Sequence, residues 1–133
     1  MQKIIIASAL LLNSQKELLV VRKFNSKFYM LPGGKIEQNE TFVEALIREL
    51  KEELMLNFKE ADFSYLGQHE TMAANEQKTI VQGNIFMLNK PLDLLPKANA
   101  ELQEVRFLKK SNYKELQLAH LLKEFALPFW LKY

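Results

Sequence analysis

Three glutamates, Glu49, Glu52 and Glu53, stand at i, i+3 and i+4 within the stretch from Thr41 to Leu56, TFVEALIRELKEELML. On a helix turning about 100° per residue they share one arc of roughly 100°. Val43, Leu46, Ile47, Leu50 and Leu54 fill a separate arc, the stripe that faces a core. Like charges placed this way repel by about a few tenths of a kcal/mol per exposed pair. A hard divalent cation removes that penalty, because Mg²⁺ and Mn²⁺ take carboxylate oxygens and keep some of their waters. Such an ion can bridge to a phosphate, withdraw charge from phosphorus and lower the pKa of a bound water. A carboxylate left free can then act as general base. A solvated acidic face is the competing account of three glutamates taken alone. Two neighbours favour chemistry. Gly33-Gly34 precede the helix and let backbone come close to a metal or phosphate. Arg48, inside the acidic helix, is spaced to pair with Glu44 or Glu52 and hold the array.

The elements that position this helix follow from hydrophobic pattern and turn chemistry. Ile4 to Leu12 reads as a buried strand, Asn13-Ser14 as a turn, and Glu17 to Phe24 as the return strand. Phe28 to Leu31 is a short aromatic strand that runs into the breaker Pro32-Gly33-Gly34. Thr41 and Glu44 have the spacing of a capping box and open the helix. Strands are expected at about Phe63 to Met72 and Thr79 to Leu88, joined around Asn75, with a last strand over Glu104 to Leu108. Lys90 to Asn99, with two prolines, reads as a loop. Leu118, Leu121, Leu122 and Phe125 form a helical stripe ended by Pro128. With no repeat and no linker, residues 1–133 read as a single mixed α+β domain.

Composition narrows the function classes. The chain has 133 residues, 48% of them apolar and nine of them Phe, enough for a core without disulfide or metal staples. Net charge is +2, with Lys and Arg scattered, so no duplex nucleic acid partner is expected. Absence of cysteine excludes disulfides, thiolate catalysis and Cys-based zinc sites. The apolar run from Ile4 to Leu12 is too short to cross a bilayer and meets no cleavage-like boundary. No membrane association and a cytoplasmic location are the expectations.

Gly34, five residues, Glu40, seven residues, then Arg48-Glu49-Leu50-Lys51-Glu52-Glu53 and Leu56 resemble the Nudix box, G-x5-E-x7-R-E-U-x-E-E-x-G-U with U apolar. Eight of its nine specified positions match. The lead-in Tyr29 to Lys35, the run Ala73 to Glu76 and the segment Ala100 to Phe107 also resemble MutT-type members, so the likeness covers roughly residues 3 to 110. The resemblance implies a Nudix-type α/β/α sandwich with a mixed sheet between helices. It also implies a pyrophosphohydrolase dependent on Mg²⁺ or Mn²⁺, acting on a nucleoside diphosphate linked to another group. A nucleoside triphosphate, in oxidised form or not, leads the substrate classes. ADP-ribose, nucleotide sugars, dinucleoside polyphosphates and a non-catalytic nucleotide sensor are the alternatives. The partner implied is a small nucleotide, and a homodimer is allowed.

Roles carry over by position. Glu52 and Glu53 match metal-ligating glutamates, and Glu49 matches a third ligand or the general base. Gly33 lies where a backbone carbonyl can ligate metal. Arg48, Glu40 and Gly34 match residues that support the box. Glu101 falls where some members place an extra carboxylate, so the base stays open between Glu49 and Glu101. Arg22, Lys23, Gly34 and Lys35 lie near the expected cleft and are candidates for phosphate contact, with a solvated strand end as the plainer account of Arg22 and Lys23. The box glycine is replaced by Met55. A left-handed Met would cost about 1 kcal/mol. The helix is therefore expected to run on to about Leu56, with Asn57 at its cap.

Other signals read as structural. His69 and His120 have no ligand spacing. Phe125, Phe129, Trp130 and Tyr133 are expected to pack rather than stack on a base. Asn75 and Glu76 fit a substrate loop or a hairpin turn equally.

Overall fold

Successive residues of a strand point to opposite faces, and here both faces are apolar. Along β1 (Gln2–Leu10) and just beyond it, Ala7, Ala9 and Leu11 belong to one buried cluster, while Leu10 and Leu12 belong to another. In β2 (Leu18–Lys23), Leu19 and Val21 join the first cluster, and Leu18 and Val20 the second. A sheet apolar on both sides needs a helix on each. The first cluster is covered by Leu46, Leu50 and Leu54 of α1 (Phe42–Leu54). The second is covered by Leu121, Leu122, Ala126 and Trp130 from the C-terminal helical segment. Full burial of each such leucine contributes about 1.5–3 kcal/mol.

The computed structural model describes residues 2–73 and 77–133, and the expected Asn75–Glu76 loop lies outside them. The remaining strands are β3 (Gly33–Lys35), β4 (Phe63–Met72), β5 (Thr79–Leu88) and β6 (Leu102–Leu108). The main sheet has the order β3-β1-β5-β4; β1 and β5 are parallel and the other pairs antiparallel. This is the mixed sheet between helices that an α+β reading requires. One difference is topological. After the Asn13 turn, β2 meets the segment just past β1 through the Leu12–Leu18 bridge, then leaves to form a two-stranded ladder with β6. Phe28 to Leu31 makes isolated bridges, Met30 to Val21 and Tyr29 to Leu118, rather than a strand.

Both helix ends depart from the sequence reading. Helix α1 stops at Leu54, and Met55, not Asn57, takes the left-handed conformation with φ 58° and ψ 32°. The Met55 N–H donates to the Leu50 and Lys51 carbonyls, and the Leu56 N–H returns to Leu50 at 3.3 Å. Chain reversal at Met55 satisfies orphan carbonyls and packs Leu56 and Phe58 against the core. Those gains offset the left-handed strain, and the Met55 side chain stays in solvent. At the C-terminus, Pro128 does not end the helix. A wide π-helical turn, Leu122–Ala126, continues into α2 (Leu127–Trp130) with proline in its first turn. The widened turn relieves the clash of the proline ring with the carbonyl four residues earlier.

Candidate active site

The start of α1 is fixed locally. The Glu44 N–H donates to Thr41 Oγ1 at 3.2 Å, and the Thr41 N–H donates to Glu44 Oε1 at 2.8 Å, closing the expected capping box. Glu44 is thereby occupied, so Arg48 turns elsewhere. Its Nε donates to Glu40 Oε2 at 2.6 Å and its Nη2 to Glu40 Oε1 at 3.0 Å, a two-pronged charge-assisted pair. The same guanidinium reaches Glu49 Oε1 at 2.9 Å, the Lys35 carbonyl at 2.9 Å and, more weakly, Glu52 Oε2 at 3.5 Å. Arg48 thus ties the loop before the helix, the end of β3 and the acidic flank into one unit. Its hydrogen bonds, with the Glu37 N–H, hold the Glu40 carboxyl below its ordinary range.

Glycine is required where β3 meets this flank. A Cβ on Gly34 would lie 2.4 Å from the Glu49 carboxylate carbon and Oε2. Gly33, at φ +142°, would put a Cβ 2.1 Å from the Ala7 carbonyl oxygen. Substitution at either position would push the acidic flank or β1 away.

The carboxylates form an electrostatically strained group. Glu53 is only 5% exposed, and among the described residues no cation pairs with it. Burial raises its pKa first; Glu49, Glu101 and Glu52 add to the rise against an opposing Lys23, and together they push it up to about 8. Burial also raises Glu49, with Glu52 and Glu101 adding and Arg48 opposing. Among the described residues, no three acidic or histidine side chains converge closely enough in this conformation to enclose an ion. Arg48 draws Glu49 and Glu52 to itself. The donor chemistry nevertheless fits a hard divalent cation: oxygen only, net negative, with one carboxylate largely buried and, among the described residues, in no ion pair.

Glu101 reaches this group from a loop. The Asn99 N–H donates to the Glu53 carbonyl and its Nδ2 to the Glu52 carbonyl, both at 3.0 Å. Asn99 therefore caps the last turn of α1 from a distant segment, and the Glu101 carboxylate stands 3.8 Å from Lys23 Nζ. Sequence reasoning missed Asn99, because nothing in the proline-containing loop around it signals a distant helix end.

Gly33, Gly34, Lys35 and Lys23 are among the residues lining a cleft of about 150 Å³ on the sheet face opposite the apolar side of α1. Ile6 and Val81 lie on its sheet side, with Thr71 from β4 and His120 and Leu121 from the C-terminal segment. These walls were read from sequence only as strand and helix positions. Arg22 is differently placed. Its Nε and Nη2 donate to Glu104 at 3.2 Å, its Nη1 donates to the Ser26 carbonyl and to Gln103, and Tyr29 Oη shares the Glu104 oxygen. Of the C-terminal aromatics, Trp130 is fully buried with its Nε1 donating to the Lys16 carbonyl, Phe125 lies against His69, and Phe129 meets Tyr133, which is itself exposed.

With this geometry in view, comparison with known proteins gives a family. The NUDIX domain family model matches residues 3–127, and the chain belongs to the Nudix hydrolase family. A curated relative from Bacillus subtilis (strain 168), "Putative 8-oxo-dGTP diphosphatase YtkD", is 34% identical over 83 residues, 56% of this chain and 50% of that protein. The match thus spans about half the length of that relative. Among solved structures, the E. coli dihydroneopterin triphosphate pyrophosphohydrolase shares the fold at TM-score 0.75 and 15% identity, covering 100% of both chains. A bifunctional NMN adenylyltransferase/ADP ribose pyrophosphatase from Francisella tularensis, complexed with AMP and a Mn ion, superposes at TM-score 0.69 and 21% identity. It covers 98% of this chain and 41% of its own. Among the described residues, no helix is long and apolar enough to cross a membrane.

Proposed function

We propose that this chain is a metal-dependent pyrophosphohydrolase that cleaves the diphosphate linkage of a nucleoside diphosphate joined to another group, with nucleoside triphosphates, oxidised ones included, as the leading substrate class. The observation that carries this reading is Glu53: a carboxylate largely buried, in no ion pair among the described residues, and crowded by Glu49, Glu52 and Glu101. Burying such a group is costly unless a ligand repays it. Glu52, Glu53, Glu49 and the Gly33 carbonyl would hold Mg²⁺ or Mn²⁺. When bound, the ion would supply charge neutralisation at the diphosphate and a water of lowered pKa. Glu49, held by Arg48 beside Gly34, would take the water proton, and Glu101 is the second candidate. Lys23 and Lys35 line the cleft, where they would meet phosphate oxygens.

The name of the Bacillus relative supports placing oxidised nucleoside triphosphates first. Hydrolysis of a panel of nucleoside triphosphates, ADP-ribose, nucleotide sugars and dinucleoside polyphosphates, with Mg²⁺ or Mn²⁺ against EDTA, tests the proposal. Metal-dependent release of a mononucleotide is the expected result, and the fastest compound names the substrate class. Nucleotide binding with no turnover of any compound would overturn it in favour of a sensor.

A further inference from the structure

The cleft has two walls that are far apart in sequence: β4, through Thr71, Met72 and Ala73, and the C-terminal segment, through Ala119 to Leu122. Leu66 of β4 packs against the apolar cluster that holds Leu121, Leu122 and Ala126. Phe125 sits beside the His69 ring at 5.9 Å between centroids and over the open face of Gly67. The hydrogen bonds that join these walls among the described residues come from one side chain. Glu124 Oε1 lies 2.8 Å from His69 Nε2, and Glu124 Oε2 accepts from Thr71 Oγ1 at 2.9 Å. His120, one helical turn earlier, brings Nδ1 to 3.8 Å from Oε2. Two of these partners, Thr71 and His120, themselves line the cleft.

We infer that Glu124 is a positioning residue that bolts the C-terminal segment to β4 and so sets the width of the cleft. This rests on the proposed function, with the nucleotide taken to lie in this cleft beside Lys23 and Lys35. The π-helical turn Leu122–Ala126 contains the bolt. Its wider spacing presents Glu124 and Phe125 to β4 while Leu122 and Ala126 remain in the core. The bond pattern also constrains protons. The Thr71 hydroxyl hydrogen is committed to Glu124, which leaves its oxygen as an acceptor. His69 and Thr71 hold the Glu124 carboxyl below its ordinary range, as expected for a carboxylate whose oxygens are already occupied. With His69 and Glu124 side chains 34% and 43% exposed, the bolt adds little global stability. Its effect falls on the spacing of the walls.

The test compares wild type with Glu124→Ala and Glu124→Gln. Three quantities are measured: dGMP binding in EDTA, Mg²⁺-dependent dGTP turnover, and amide hydrogen exchange over residues 71–73 and 120–122. Glu124→Ala should weaken dGMP binding and raise KM by about tenfold, with kcat within about twofold and faster exchange in both segments. Glu124→Gln should stay close to wild type, because its amide oxygen still accepts from Thr71 and its NH₂ can meet the His69 ring nitrogen. Unchanged exchange in Glu124→Ala overturns the inference, as does a fall in kcat without a rise in KM. If wild type neither binds dGMP nor turns over any nucleotide, the functional reading fails, while the exchange comparison still decides whether Glu124 holds the walls together.

Discussion

Two carboxylates, Glu53 and Glu124, sit on different helical segments and differ in every respect that matters electrostatically. Glu53 is buried, has no cationic partner among the described residues and is crowded by other carboxylates, so its pKa is driven up. Glu124 is half exposed, and its oxygens face Thr71 and two histidines, so its pKa is held down. A satisfied carboxylate has no use for a ligand and serves as a strut. A largely buried one crowded by like charges is a cost to the fold that a bound cation would relieve, which makes it the candidate for chemistry. Position in the sequence pattern separates the two less well than partners do.

The sharpest way to break this contrast is Glu53→Gln. Metal-dependent kcat/KM should fall by at least about a hundredfold, measured on the best compound of the panel. Retention of activity within a few-fold would remove Glu53 from the site. Next in size, Arg48→Ala should cost roughly 10–100-fold by freeing Glu49 and Glu40 together. Arg48→Lys should recover only part of that, because an ammonium cannot reproduce the fork on Glu40.

The same buried group makes a stability prediction. In metal-free protein, folded Glu53 keeps its proton up to about pH 8, whereas the unfolded chain releases it near 4.5. The folded state therefore holds the extra proton between those values. Its stability falls as pH rises through that window and levels off above it. Melting in EDTA should show this decline in wild type and a flatter profile in Glu53→Gln, which has no charge to bury. Added Mn²⁺ should raise the melting temperature of wild type at the alkaline end and do so much less for the variant. A wild-type profile that rises through the window would sink the assignment of an unpaired buried carboxylate.

The smallest expected effect lies at the helix end that carries Glu52 and Glu53. Met55→Gly should stabilise by about 0.5–1 kcal/mol, since the left-handed residue is exposed and glycine adopts its conformation without strain. A denaturant midpoint shift reads this, with kcat unchanged. Loss of stability would mean that the Met55 side chain contributes more than its exposure indicates.

Much of this molecule was legible because it is local. The Thr41–Glu44 capping box, the core stripe of α1 and the clustering of Glu49, Glu52 and Glu53 depend only on helical geometry, and the spans of β4 and β5 follow from short-range pattern. The box spacing from Gly34 to Leu56 pointed to the family for the same reason. What the tertiary structure decided was partnership. Arg48 chose Glu40, eight residues back, because the capping box had already taken Glu44. Asn99 caps α1 from 47 residues beyond Glu52, and Glu124 finds His69 across 55 residues. Met55 went left-handed because reversing there buries Leu56. Side-chain periodicity records which face of an element is apolar. It does not record which distant polar group will meet a given donor or carboxylate, and that meeting separates Glu124, with its partners, from the crowded acidic flank at Glu53.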